Sequence, residues 1–385
     1  MSMQVRIEKL IYGGAGLART DQGVVFVERV LAGELVEVEI IEPRKDYSLA
    51  RLIEVLEPSE ARRSPACPNF ETVGCCDWAH IRHPDQIRIK EAVLRESLQR
   101  LGHLDRDEPI HTIPGPDGGY RIRAIFHVID CRPGFVREGT HEVVPITGCP
   151  SLMPELNEFI GQATAALGEG RFQGADAIRV VASPTTCEVA AVFMRGREKA
   201  RWTSGSVLTE VGGFQYRLHP MGFFQPNRYM LLPLQSRVAE LVPPARVVLD
   251  LFSGDGFFSL PLARKAEQVV AVDRRSTANA MRNARLNRVG NITFVKSSAR
   301  AFLMNAAIRP DAVVLDPPRS GGGPNLTRRI AGLGPARIVY VSCNPTTFAA
   351  DARVLASHDY RITHLEILDQ FPNTHHIETI ALFEK

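Results

Sequence analysis

Leu249-Asp-Leu-Phe-Ser-Gly-Asp-Gly256 decides how the second half of this chain folds. An apolar run at 247–251 stops at a serine and two glycines, the pattern of a strand that turns into a helix where the backbone approaches a ligand. Four further β-rich runs follow at 268–273, 292–295, 312–315 and 337–342, separated by helix-like or polar segments. That alternation predicts right-handed βαβ units around a parallel sheet, whose ligands collect at the carboxyl ends of the strands. Asp273 ends the second run, where a carboxylate can accept both hydroxyls of a ribose. No Gly-Lys-Ser/Thr follows to cradle a triphosphate, and the third glycine of a pyrophosphate site is missing; a dinucleotide enzyme is disfavoured but stays open. Singly, Gly254 and Gly256 read as an ordinary turn and Asp273 as a helix cap. On consecutive strand ends they point to a nucleotide-type ligand.

The same rim carries candidate chemistry. Asp316-Pro-Pro-Arg319 ends the fourth run, and its prolines cannot donate ladder hydrogen bonds, so they leave the sheet and wall a pocket. Cys343 ends the fifth, between Ser342 and Asn344-Pro345. A free cysteine is more often a small buried core residue, but the polar neighbours here suit an exposed strand end. Phe371-Pro-Asn-Thr-His-His-Ile-Glu378 then brings two imidazoles and a carboxylate together before a final strand at 379–383.

The chain has 385 residues, 44% hydrophobic and 23% charged, enough apolar surface for two or three cores. No stretch nears the roughly 18 apolar residues of a membrane span, and no signal peptide opens the chain, so a cytoplasmic protein is expected. A net charge of +3 does not by itself announce nucleic acid. Seven cysteines, an odd set without a secretion signal, favour metal or catalytic roles over disulfides. Cys131 and Cys187 read as buried core residues.

Upstream, strands are expected at 5–10, 24–27, 34–41 and 50–56, with Gly13, Gly14 and Gly16 in an early turn, which suggests a small closed barrel. Tyr12-Gly-Gly-Ala-Gly-Leu-Ala-Arg19, with 25–27 and 32–34, resembles the TRAM domain, an oligonucleotide/oligosaccharide-fold module of RNA-modifying enzymes. Lys9, Arg19, Arg44 and Lys45 would then be candidate phosphate contacts, against the plainer reading of solvated charges. A helix at 84–101, strands between 119 and 219 and a helix at 154–167 make the middle α+β. Three domains are expected: 1–60, 61–220 and 221–385.

Phe224-Gln-Pro-Asn227, 250–256, 316–319, Ser342-Cys-Asn-Pro345 and Phe371-Pro-x-Thr-x-His-x-Glu378 stand in the order found in RNA uracil-5 methyltransferases, and with the TRAM-like segment the resemblance spans nearly the whole chain. It implies a Rossmann-like class I S-adenosylmethionine-dependent domain, α/β, behind the barrel and the central α+β domain. It implies that Cys343 adds to C6 of uracil, that C5 then takes the methyl group, and that Glu378 removes the C5 proton. Phe252, Gly254, Asp273 and Ser298 would hold S-adenosylmethionine, with Gln225 and Asp316 beside them. Phe223 would stack on an extruded uridine, and His376 would orient Glu378 or the substrate, unless it is structural. Phe257 and Ser298 stand where the family often has amide or acidic residues.

Cys67-Pro-Asn-Phe-Glu-Thr-Val-Gly-Cys75-Cys76, with Cys149-Pro150, resembles the family's loop for a four-iron, four-sulfur cluster. Val73 occupies the usual second cysteine position and Cys75 a usual glycine, so zinc or no metal are the alternatives. The implied partner is RNA, ribosomal favoured over transfer RNA, and the implied state a monomer. A cytosine-5 methyltransferase or a non-catalytic RNA-binding protein are the other readings; only the latter would keep its function without the Cys343 thiol.

Overall fold

In the computed structural model, which describes every residue except Met1, Asp107, Ser204, Ser276 and Ala306, the run at 247–251 lies in the strand Ala245–Leu251. It sits inside an eight-stranded sheet. The strand order is Ile292–Lys296, Ala266–Asp273, Ala245–Leu251, Ala312–Leu315, Arg337–Ser342, Glu378–Glu384, Arg361–Leu368 and His111–Ile113. The first five are mutually parallel, and Glu378–Glu384 inserts antiparallel to both of its neighbours. Both faces are covered: Val248, Val314 and Val339 belong to one apolar core, Leu249, Val313 and Ile338 to another. That is why these strands read as continuous apolar runs rather than alternating ones.

The strand Arg361–Leu368 has no counterpart in the sequence reading. Thr363, His364 and Glu366 interrupt its apolar pattern, yet Glu366 is fully buried. Arg237 clasps its carboxylate with Nε and Nη2 at 3.1–3.2 Å, a paired charge that a hydropathy pattern cannot foresee.

At the N-terminus a six-stranded sheet has Ser2–Arg6 and Lys9–Leu10 as its two edges. Consecutive strands at opposite edges require the sheet to roll round on itself, and Val5, Val25, Val27, Val36 and Val38 fill the interior. The middle holds a second six-stranded sheet, Val143–Pro145, Arg132–Val136, Arg123–Ile129, Ala177–Ala182, Val189–Arg195 and Glu198–Arg201, antiparallel throughout. The helix Pro154–Gly168 covers one face of it through Leu156, Phe159, Ile160 and Ala163. No helix among the described residues is long and apolar enough to cross a membrane.

The helix His83–Ser97 continues into a wider π turn, Leu98–Gly102, which lies against the helix Pro345–Ala356 behind Cys343. Gly102 allows that approach, since a Cβ there would stand 3.3 Å from the Ala349 carbonyl. Helix His83–Ser97 also ties down the segment leading to Glu378. Lys90, 1% exposed, donates to Asp369 Oδ1 and the Phe371 carbonyl, each at 2.9 Å. Gln86 donates to Asn373 Oδ1 at 3.0 Å, and Asn227 to the Asp369 and Gln370 carbonyls. Burial pushes the Asp369 carboxyl up, but Lys90 and His83 outweigh it and hold its pKa below the usual carboxylate value. The contribution is therefore present at neutral pH and lost as pH falls through that depressed value. Lys90→Met should cost about 3–5 kcal/mol in urea unfolding at pH 7, because it strands a buried carboxylate. A loss below about 1 kcal/mol, the scale of a surface pair, would show that this pair does not hold the segment.

Candidate active site

The strand ends converge on one cleft of about 830 Å³, within the range of small-molecule sites. Gln225, Phe252, Gly254, Asp273, Ser298, Asp316, Cys343, Glu378 and Phe223, all singled out in the sequence, line it. Strand register explains the convergence. Leu251 pairs with Val272 and with Leu315, so Asp273 and Asp316 flank Phe252 on the same rim. Ser342 pairs with Thr379, so the next residues, Cys343 and Glu378, leave the two strands side by side.

The loop after Leu251 is bent into unusual backbone. Phe252, Gly254 and Gly256 have φ of 64°, 53° and 84°, a left-handed conformation that a phenylalanine rarely adopts. Nothing lies within 4 Å of where a Gly254 Cβ would stand, so the backbone there faces open cleft. Asp273 Oδ2 accepts from Gly254 N–H at 3.0 Å and Oδ1 from Arg275 N–H at 2.7 Å, which fixes the carboxylate at the cleft edge. Asp250, 1% exposed, accepts from Ser259 Oγ at 2.5 Å beneath the loop. Burial, with Asp316 and Asp273 nearby, pushes Asp250 up to about 7 despite that bond.

The far side is acidic and dry. Gln225 donates to Asp316 Oδ2 at 3.0 Å while its own carbonyl oxygen accepts from Gln370 at 2.9 Å, so the amide is held in one orientation. Burial raises the pKa of Asp316; burial and then the Asp316 charge raise that of Glu378 well above the usual value. Cys343 is half-buried, and burial followed by Glu378 and Asp316 pushes its thiol up to about 12, with Arg319 pulling the other way. Burial and mutual repulsion thus disfavour ionisation of the thiol and of both carboxyl groups in this cleft.

His376 lies outside the cleft lining. Arg319 Nη2 donates to its Nε2 at 2.8 Å and the ring stands edge-on to Phe371. Burial and the neighbouring cations drive its pKa down to about 3, so it is a neutral acceptor. Residues that the sequence did not single out are the cleft arginines Arg121 and Arg123, neighbours on one short segment, and Arg275 from another, neither segment carrying a motif, and Gln370, buried in an unpatterned stretch. The ring of Phe223, 45% exposed, lies near the Arg123 and Arg275 guanidinium groups at 5.8 and 5.6 Å.

The four loop cysteines come together away from the cleft. Cys67, Cys75 and Cys149 line a cavity of only about 10 Å³, and Cys76 Sγ lies 3.6 Å from Ser151 Oγ. A hydrogen bond between the adjacent thiols lowers Cys76 to about 7 and raises Cys75, and burial pushes Cys149 up to about 11. Among the described residues no three His, Cys, Asp or Glu side chains already stand in a metal-holding arrangement. The donor chemistry nevertheless suits a four-thiolate group. Cys131 and Cys187 correct the sequence reading: both are exposed, because each sits at a turn with φ of 59° rather than inside a strand.

Comparison with known proteins gives this geometry its family. The tRNA (Uracil-5-)-methyltransferase family model matches residues 207–385 and the TRAM domain model residues 2–53. The 23S rRNA (uracil(1939)-C(5))-methyltransferase RlmD of Pseudomonas entomophila is 34% identical over 98% of this chain and 92% of its own length. An RNA methyltransferase of Aquifex aeolicus is 32% identical over 99% and 98%. The chain belongs to the RNA uracil-5 methyltransferase family.

The crystal structure of Pyrococcus abyssi tRNA (uracil-54, C5)-methyltransferase in complex with S-adenosyl-L-homocysteine superposes with a TM-score of 0.81, at 26% identity and 99% coverage of both chains. The α/β methyltransferase fold with an N-terminal TRAM domain is therefore the one expected from the sequence. The enzyme is an S-adenosylmethionine-dependent RNA (uracil-5-)-methyltransferase. Its acidic site makes the thiol slow to ionise. Iodoacetamide should label Cys343 slowly at pH 7 and faster as pH rises toward the thiol's value of about 12. Asp316→Asn removes one negative neighbour and should lower the pH at which labelling accelerates; an unchanged profile would mean that the carboxylate does not act on the thiol.

Proposed function

We propose that this enzyme makes 5-methyluridine in 23S ribosomal RNA, with Cys343 as nucleophile and Glu378 as base. The observation that carries the chemistry is their side-by-side position on paired strand ends in one buried cleft. Uracil C5 is a weak nucleophile until a thiolate adds at C6 and gives C5 enolate character. In this reading Cys343 passes its proton to Asp316 and bonds to C6. Bound S-adenosylmethionine supplies an electrophilic methyl group, which C5 takes, and a sulfonium charge that favours ionised neighbours. Glu378, as carboxylate, then removes the C5 proton; the C6–sulfur bond breaks, the C5–C6 double bond returns and Cys343 leaves as thiolate. One proton is released overall.

Phe252, Gly254, Asp273 and Ser298 would hold the methyl donor, Asp273 at the ribose. Gln225 keeps the Asp316 carboxylate oriented, and Phe223 offers a ring to an extruded base. His376 is read as a positioning residue acting through Arg319 on the substrate side. Ribosomal RNA is preferred over transfer RNA because a relative matched over nearly its whole length, that of Pseudomonas entomophila, is a 23S rRNA (uracil(1939)-C(5))-methyltransferase. Cys67, Cys75, Cys76 and Cys149 would hold a four-iron, four-sulfur cluster with a structural role, since methyl transfer moves no net electrons.

Tritiated-methyl S-adenosylmethionine, with ribosomal and transfer RNAs from cells lacking this gene, tests the assignment. Label should appear as 5-methyluridine in large-subunit RNA and vanish with Cys343→Ala; label confined to transfer RNA would overturn the choice of substrate. Glu378→Gln should lower turnover by roughly 10²–10⁴ and accumulate a covalent enzyme–RNA adduct, because addition precedes the blocked proton removal. Anaerobically purified protein should contain about four iron and four sulfide per chain, reduced by Cys76→Ser. Metal-free protein of undiminished thermal stability would rule the cluster out.

A further inference from the structure

One face of the central sheet is covered by the helix Pro154–Gly168; the other is open over much of its area, although Val181, Ala190 and Val192 on it are buried, and strand register shows what this open face carries. Phe126, Ile178 and Phe193 point into the core beneath the helix Pro154–Gly168. The alternate residues point the other way: Arg123, Ile125, His127 and Ile129 on one strand, with Arg132, Arg179, Lys199 and Arg201 on the neighbouring strands. Ile125 pairs with Arg179, Arg179 with Val192, and Val192 with Arg201, so the cations run across the sheet. No Asp or Glu occupies this face in any of the six strands.

A solvated sheet face ordinarily mixes charge of both signs. Here the partnering of cations separates two parts of the molecule. On the barrel, Arg6, Lys9, Arg19, Arg44 and Arg51 pair with Glu57, Glu96, Glu8, Glu42 and Glu39. Three of the four barrel cations expected from the sequence to meet phosphate thus have carboxylate partners, Lys45 being the exception. On the sheet, none of His127, Arg132, Arg179, Lys199 and Arg201 forms an ion pair with a carboxylate among the described residues. Arg123 bonds the Phe224 and Gly222 carbonyls, and burial together with Arg121, Arg179 and Arg275 pulls it down to about 10 despite Asp255. Unpartnered like charges gathered on one face are a cost that a polyanion would relieve.

The face is also continuous with the active site. Arg121, Arg123, Ala124 and Ile125 line the catalytic cleft itself. Beyond Ile125, which is 46% exposed, Ile129 is 38% exposed, which leaves apolar surface among the cations for unstacked bases. The seven residues of Arg123–Ile129 span roughly 20 Å at ~3.3 Å each, room for a few nucleotides. We propose that the open face of the central sheet, from Arg123 at the cleft to Lys199 and Arg201 at the edge, is the track that binds single-stranded RNA flanking the target uridine. It rests on the RNA methyltransferase reading and assigns the main phosphate contacts to the sheet rather than to the barrel.

The test compares Arg179→Ala/Lys199→Ala/Arg201→Ala with Arg19→Ala/Lys45→Ala, each in the full chain, using an unmodified large-subunit ribosomal RNA transcript. Affinity is read by filter retention across a salt series. The sheet variant should weaken binding and flatten the log–log salt slope by about 2, at ~0.7 per lost phosphate contact on a single strand. The apparent KM for RNA should rise while kcat stays near the parent value. Lys199→Glu/Arg201→Glu, both exposed positions, gives the same answer should the triple variant fold poorly. A slope that falls with the barrel variant and not with either sheet variant overturns the proposal. Binding is measured without turnover, so a parent protein that binds RNA but forms no 5-methyluridine would defeat the methyl-transfer reading separately.

Discussion

The antiparallel entry of Glu378–Glu384 into an otherwise parallel run of strands is the constraint on which the site depends. A purely parallel sheet would bring only carboxyl ends to the rim, and each would have to supply its own chemistry. Reversing one strand brings an amino end to the same rim, so Glu378 begins its strand where Cys343 has just left the neighbouring one. A slip of one residue would send Glu378 to the other side of the sheet and into an apolar core. The register is held by burial on both faces, with Ile380, Ala381, Leu382 and Phe383 nearly inaccessible. It is held again from outside, where Lys90, Gln86 and Asn227 fasten the segment before Glu378.

That fastening explains why three domains serve one reaction. Trp78, beside the cysteine cluster, donates through its indole N–H to the Gly14 carbonyl of the barrel and through its backbone N–H to Asn373. Asp77 meets His375 at 2.7 Å, and the His375 ring stands edge-on to Tyr12. The cysteine loop, the barrel turn and the segment leading to Glu378 therefore form one packed junction. A four-thiolate group at Cys67, Cys75, Cys76 and Cys149 would stiffen that junction, a structural use that needs no electron transfer.

Much of this was legible in the sequence because it is local. Each βαβ strand advertises itself as an apolar run, and each chemical residue sits just after one, where polar residues interrupt it. What was not legible depends on pairing across the chain. The strand Arg361–Leu368 was hidden by Glu366, whose charge only Arg237 makes tolerable inside. The exposure of Cys131 and Cys187 follows from left-handed turns that their sequence does not signal. His376 stands in a recognisable motif, yet its ring faces Arg319 rather than the cleft, because the loop's direction is set by contacts from other domains.

The same lesson governs charge. The resemblance to the TRAM domain made Lys9, Arg19, Arg44 and Lys45 of the barrel candidate phosphate contacts, against the plainer reading of solvated charges. The barrel's carboxylates lie close by, and on adjacent strands opposite charges find one another: Arg51 opposes Glu39 in the ladder itself. The cations of the central sheet come from strands far apart in the chain and gather only when it folds, with no acid among them. A net charge of +3 conceals this, because the sum does not distinguish neutralised pairs from a face of one sign. Attraction for a polyanion comes from charges without protein partners, and here those charges lead from the sheet edge into the cleft that holds Cys343.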